Sequence, residues 1–322
     1  MKEKISFLLG VILFFGVFYY AGGAELLDIL SKINLIYFSI ALVIQISFIL
    51  FYTLRLRIIL SSQKYNLKFR DMFKILVAGM GINQLTPIAK AGGEPVKMYY
   101  ISKHNIPITK ALASVVIEIS SDLISIYTTL LFLVILLSSI KYLTLEFLYV
   151  SVSIVIFFMI SFILVIRFIL SEEKIEKFTE KYILKFFKVN VRNSSKVFSR
   201  SLKTLFTNKT LEFKIFLISL ITRLLEILRI YFLFKAINYP AIIFLVLIVL
   251  ILQCLFSMIP WLPGGLGLIE GGTISILLLF GLSTSIASSL ILLDRFLSFW
   301  IPLILGFFSI YFLKKEFSNK SI

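Results

Sequence analysis

Residues 236–269 read AINYPAIIFLVLIVLILQCLFSMIPWLPGGLGLI, with no Asp, Glu, Lys or Arg anywhere in the stretch. Its middle is a run of large aliphatic side chains. Its end holds Pro260, Pro263, Gly264, Gly265 and Gly267. A helix needs about 20 mostly apolar residues to cross a hydrocarbon core of about 30 Å, and must satisfy its backbone polar groups internally. The stretch therefore reads as a membrane helix followed by a break at membrane depth.

Working outward, further charge-free runs extend over Ile5 to Ala24, Ile33 to Leu54, Leu123 to Ile140, Phe147 to Ile166, Gly271 to Leu293 and Phe296 to Leu313. The composition agrees: 59% of the 322 residues are hydrophobic and only 16% charged, against about 25% charged in ordinary globular domains. A mean hydropathy of +1.01 excludes a soluble, disordered or fibrous chain. The expectation is an all-α, polytopic helical membrane protein, a single integral membrane domain over residues 1–322. The first run precedes no small-residue cleavage site and is kept as a span rather than a signal peptide.

The 33 Lys and Arg against 17 Asp and Glu give a net charge of +16. The basic residues crowd the connections, with Arg55, Arg57, Lys64, Lys68, Arg70 and Lys74 in one and Lys174 to Lys209 in another. The positive-inside rule puts both on the cytoplasmic side and the N-terminus with them, while the connections near Glu25 to Lys32 and near Lys141 go outside. The expected location is the cell membrane. Residues 171–210 interleave Lys and Arg with Ile175, Phe178, Tyr182, Phe186, Val191 and Phe198 at helical spacing. That pattern suits either an amphipathic helix on the anionic inner leaflet or a solvated charged linker. Nothing in it points to nucleic acid.

Two segments are too rich in Gly and Pro to be plain spans: Met72 to Glu94, including Gly92 and Gly93, and Met258 to Gly272. Each reads as a broken, re-entrant helix or as an interfacial loop. Glu94 and Glu118 recur at an offset of 176 as Glu270 and Asp294, and Arg55 recurs as Arg229 at 174, which suggests a two-fold internal repeat. Seven crossings would leave the C-terminal Lys314, Lys315 and Lys320 outside. Eight, reached if one broken segment crosses or if the last region bends near Gly281 and crosses twice, put them inside and are preferred.

The informative residues are ionisable groups inside apolar helices, since each costs several kcal/mol at the bilayer centre unless paired or facing water. Arg223, Glu226 and Arg229 follow at three-residue spacing on one helix face. They form either a net positive stripe suited to an anion or a self-contained ion ladder. Glu118 and Asp122, four apart, would repel unless a proton, a metal ion or a base such as Arg55, Arg57 or Lys97 lies between them. Asp294 and Arg295 adjoin within the last apolar region and could each satisfy a different neighbour. A helix starting near Gly265 to Glu270 would turn its N–H groups toward a phosphate. No Walker A ending is present, so no ATP site is expected. The lone Cys254 and the loop residue His104 supply no metal cluster, and no cofactor or catalytic residue is expected.

Gly92-Gly93-Glu94-Pro95-Val96-Lys97-Met98-Tyr99 followed by Ala111 to Asp122, and Pro263-Gly264-Gly265-Leu266-Gly267-Leu268-Ile269-Glu270 followed by Leu292-Leu293-Asp294-Arg295, carry a likeness. Over essentially its full length the chain resembles the flippase-like transmembrane family, which includes the N-terminal membrane region of lysylphosphatidylglycerol synthases. The resemblance implies that Glu94, Glu118, Asp122, Gly264, Gly265, Gly267, Glu270 and Arg295 occupy that family's characteristic positions. Many members look like Glu-Arg-X-X-Asp where this chain has Glu118-Ile119-Ser120-Ser121-Asp122, so Ile119 departs from the pattern. The sequence ends at Ile322 without an aminoacyl-transfer domain, so synthase activity is not carried over.

The expected function is a flippase or scramblase for a lipid, or lipid-linked intermediate, with an anionic phosphate headgroup. Its groove would be lined by Arg223, Arg229, Arg295 and helix N-termini. A membrane-embedded lipid transferase using Glu118, Asp122 or Asp294, and a scaffold of a biosynthetic complex, are the alternatives.

Overall fold

A computed structural model describes residues 2–86, 92–138, 191–240, 242–257 and 262–318, and isolated positions 149, 153, 156, 160, 171 and 259. It is all-helical there. The helices are α1 (Lys2–Ser31), α2 (Leu35–Ser62), α3 (Phe69–Leu85), α4 (Gly93–Ser102), α5 (Ile108–Ser138), α6 (Val191–Thr207), α7 (Lys209–Ala236), α8 (Ile243–Ser257), α9 (Leu268–Leu279), α10 (Thr284–Arg295) and α11 (Ile301–Ser318). A 3₁₀ turn, Pro263–Gly265, precedes α9, and a π turn, Phe296–Trp300, joins α10 to α11.

Among the described residues, Leu35–Ser62, Ile108–Phe132 and Thr284–Ser318 are long and apolar enough to cross a bilayer. Leu8–Tyr19, Ile243–Ser257 and Pro263–Leu279 are shorter apolar helices. The chain is thus an all-α polytopic membrane protein. Most of the expected run Phe147 to Ile166, residues 172–190 of the 171–210 connection, and Pro87 to Ala91 lie outside the described residues. The bend expected near Gly281 is present: α9 ends at Leu279, Gly281 takes a φ of 84°, and Ser283 caps α10 by accepting from the Ile286 amide at 3.3 Å.

The chain forms two compact units. The first comprises Met1–Phe51, Phe73–Lys97 and Thr222–Ile322, and the second Tyr52–Met72 and Met98–Ile221. The core of the first gathers Phe14, Phe18, Ile230, Phe234, Val249, Leu266, Leu290 and Phe299. Within it α1 packs along α10, tied by the Ser285 hydroxyl donating to Glu25 at 2.5 Å. There α3 and α11 meet backbone to backbone, because a Cβ on Gly81 would fall 2.7 Å from the Gly306 Cα. Such small-residue crossings suit helices that have no hydrophobic drive to associate in lipid. In the second unit α6 packs on α5 and buries Phe198, Leu202 and Leu205, leaving Lys196, Arg200 and Lys203 exposed. Of the apolar residues singled out in the 171–210 connection, Phe198 is thus packed inward, while the basic face of α6 stays open.

The internal repeat is written in the backbone. Helices α2 and α7 both have 28 residues, and both their ends lie 174 positions apart (209 less 35, 236 less 62). The Asn before each caps it: the Asn34 Oδ1 accepts from the Ile36 amide at 3.1 Å, and the Asn208 Oδ1 from the Leu211 amide at 3.1 Å. At the same offset the left-handed Lys64 (φ 69°) matches Asn238 (φ 55°). At 176, Asn105 (φ 60°) matches Gly281 (φ 84°), and α5 and α10 begin at Ile108 and Thr284. The order α2–α5 thus returns as α7–α10, with each repeat interrupted before its third helix.

Candidate functional site

The two interruptions meet in the first unit. Gly264, Gly265 and Gly267 have φ of 61°, 69° and 82°, a region closed to most side chains, so the chain can turn sharply after Pro263. The Gly264 amide donates to the Thr86 carbonyl at 3.3 Å, just beyond α3. A Cβ on Gly264 would strike the Phe299 ring. On the other side of the first break, the Gly93 amide donates to the Asn83 Oδ1 at 2.7 Å. A Cβ on Gly93 would run into the Gly79 carbonyl, so both glycine segments lie where backbones approach closely.

Onto this frame α9 and α10 bring the charges. Glu270 reaches back from the first turn of α9: one carboxylate oxygen accepts from the Gly267 amide at 2.6 Å, and the other from the Arg295 Nε at 2.5 Å. The Arg295 Nη2 donates to the Gly264 carbonyl at 2.8 Å, and its guanidinium lies 4.7 Å from the Phe299 ring centroid. Asp294 turns the other way, since neighbouring helical residues are about 100° apart. Its carboxylate accepts from Arg229 Nε and Nη2 at 3.0 Å and from Gln253 Nε2 at 2.8 Å. The Arg229 Nη1 donates to the Gln45 Oε1 at 2.6 Å. Glu270 and Asp294 are fully buried, and Arg229 and Arg295 are 4% and 6% exposed. The sequence-level expectation that Asp294 and Arg295 serve different neighbours holds.

The second unit carries the equivalent constellation. Arg55, fully buried, pairs with Asp122 at 2.7 Å and lies over the Tyr52 ring at 4.1 Å, while the Tyr52 hydroxyl donates to Asp122. The Arg55 Nη1 donates to Ser219 Oγ at 3.0 Å. The 174 offset that relates Arg55 to Arg229 also relates Gln45 to Ser219. Each arginine therefore bonds to a residue of the other repeat, at equivalent positions. Glu118 is buried and within electrostatic reach of Arg55. Of the bases considered for the acidic pair, Arg55 is the one that binds Asp122. Arg57 caps the Leu67 carbonyl at 3.0 Å, and Lys97 pairs with Glu94 at 2.6 Å.

Further contacts bear on the remaining expected site residues. Read from α7 alone, Arg223, Glu226 and Arg229 leave a surplus positive charge. Arg223 pairs with Glu226 at 2.7 Å, but Arg229 leaves that ladder for Asp294, so the surplus is met by a carboxylate from α10. The N–H end of α9 faces the Glu270 carboxylate rather than standing open. Ile119 corresponds, at 176, to Arg295, and Lys97 to Thr273. The base missing at 119 in the first repeat is thus matched by one at 97, on the helix turn that carries Glu94. Gln45, Gln253 and Tyr52 carry no signal in the sequence, because neutral residues in apolar runs raise no alarm, and Asn83 is one neutral residue in the first glycine-rich segment. Among the described residues no three His, Cys, Asp or Glu side chains gather as a metal site would require.

These features define a membrane protein built from a repeated helical motif, with broken segments and buried ion pairs inside it. The chain belongs to the family described as the lysylphosphatidylglycerol synthase TM region, which matches residues 5–306. It is similar to a UPF0104 membrane protein of Methanothermobacter thermautotrophicus, 28% identical over 99% of this chain and 98% of that one. A UPF0104 membrane protein of Methanocaldococcus jannaschii is 28% identical over 99% and 97%, and one of Pyrococcus horikoshii 26% identical over 95% and 96%. No solved structure matches the chain.

Proposed function

We propose that the protein is a lipid flippase or scramblase of the cell membrane, moving a lipid or lipid-linked intermediate with an anionic phosphate headgroup between leaflets. The observation that carries this reading is the meeting of both glycine interruptions with two buried ion pairs in one unit. Ion pairs at hydrocarbon depth are expensive, and a merely structural core would be served as well by apolar residues. A headgroup entering hydrocarbon meets the same desolvation cost. Guanidinium groups and freed backbone amides would lower that cost while the acyl chains stay in lipid. Repeats with interrupted helices are a common architecture for alternating access to a mid-membrane site. The exposed Lys196, Arg200 and Lys203 of α6 would rest against an anionic inner leaflet, with the N-terminus cytoplasmic.

The test is leaflet exchange of a fluorescent phosphatidylglycerol in reconstituted vesicles, read by quenching of the outer leaflet. Wild-type protein accelerates exchange, and Arg229→Ala and Glu270→Ala slow it at least tenfold in preparations that retain wild-type helix content. Arg200→Gln leaves the rate within twofold. Exchange in wild-type vesicles no faster than in empty ones refutes the reading.

A further inference from the structure

In the first repeat Glu94 pairs with Lys97, three residues along the same short helix, so the two ride together whatever α4 does. In the second repeat the position of Lys97 is taken by Thr273, and the cation that meets Glu270 arrives on another helix, as Arg295 of α10. Only this second pair can be parted by a movement of one helix against another.

Glu270 places one oxygen on a guanidinium and the other on a helix N-terminal amide. Those are the donors a phosphate oxygen would use. One turn on, at the i+3 position of the same face, the Thr273 hydroxyl is fully buried and has no hydrogen-bond partner. On α10, two turns before Arg295, the Ser288 hydroxyl is also fully buried and unpartnered. Buried hydroxyls are normally satisfied. The two helices that supply Glu270 and Arg295 thus each carry a buried hydroxyl with hydrogen-bonding capacity to spare.

Resting on the function proposed above, we propose that Arg295, the Gly267 amide and the Thr273 hydroxyl form a seat for a phosphate oxyanion. Glu270 is the seat's internal counter-anion, filling it until a phosphate mono- or diester displaces it. Glu270 then acts as the competitor that keeps an empty seat from exposing an unpaired guanidinium, and its return expels the ligand. The seat belongs to the second repeat alone.

Binding to purified full-length protein in micelles tests this without reference to transport. Inorganic phosphate and dihexanoyl phosphatidate are titrated at fixed ionic strength against chloride, following thermal shift and the fluorescence of Trp300, whose ring centroid lies 5.1 Å from that of Phe299. Glu270→Gln is expected to bind at least tenfold tighter than wild type. Arg295→Gln abolishes binding in both backgrounds, and Thr273→Val takes back severalfold of the gain. Glu270→Asp, too short to span both donors, gives a smaller gain and serves if the Gln variant does not fold. A gain with phosphatidate alone assigns the seat to a headgroup, and a gain with inorganic phosphate alone assigns it to a free anion. In vesicles Glu270→Gln exchanges lipid more slowly despite binding tighter, because the expelling carboxylate is gone. Affinity unchanged or weakened in Glu270→Gln, or a gain that survives Arg295→Gln, overturns the seat. Absence of exchange by wild type bears on the transport reading only.

Discussion

Consider a double-mutant cycle on Arg229 and Asp294. The Asp294 carboxylate is fully buried and takes both donors of the Arg229 fork at 3.0 Å, with Gln253 adding a third bond at 2.8 Å. Arg229→Ala removes the cation and leaves a charged carboxylate held only by neutral donors, for which a loss of about 3–5 kcal/mol is expected. Asp294→Ala leaves the guanidinium with the Gln45 acceptor alone and should cost a comparable amount. The double variant strands neither charge, so it should cost less than the sum by about 2–3 kcal/mol. The assay is reversible unfolding in mixed micelles by titration with sodium dodecyl sulphate, monitored by helix content. Singles that add to the double within about 0.5 kcal/mol would show that the two groups do not depend on each other, and the account of the buried pairs would fail. The same cycle on Arg55 and Asp122 should return a coupling of similar size.

Gln45→Leu and Ser219→Ala each remove the Nη1 acceptor of one buried arginine, and each should lower stability by about 1–3 kcal/mol in the same titration. Two left-handed glycines should separate backbone strain from crowding. Gly281→Ala meets open space and should cost about 1 kcal/mol, whereas Gly264→Ala drives a methyl into Phe299 and should cost more by about 1–3 kcal/mol. On α6, Leu202→Ala should destabilise by about 2–5 kcal/mol because the residue is fully buried, while the exposed Arg200→Gln should stay within about 0.5 kcal/mol.

The fold class was legible because hydrocarbon forbids charge, and the charge-free runs mark helices without any knowledge of their packing. The partner of Asp122 was legible only as one of several alternatives, Arg55 standing beside Arg57, Lys97, a proton and a metal ion. The acid for Arg229 was not: Asp294 is 65 positions away and nothing local marks it. The repeat was only half visible in the amino acids, because the offset changes from 174 to 176 between the second and third helices and a single shift cannot align both parts. Its clearest signs are left-handed residues and caps. There Lys64 stands for Asn238 and Asn105 for Gly281, so similar conformation is reached through different side chains. Neutral acceptors such as Gln45 were missed for a related reason, since a single amide barely perturbs hydropathy.

The crossed bonds of the two arginines bear on biogenesis. Gln45 leaves the ribosome 184 residues before Arg229, the group that occupies its carbonyl oxygen. Until then that amide must be tolerated by the translocon or by a transient bond, and the early helices cannot settle before the late ones arrive. Severing the gene between its two halves and co-expressing the pieces should therefore yield fragments that each linger as degradation-prone polypeptides alone and reassemble when made together.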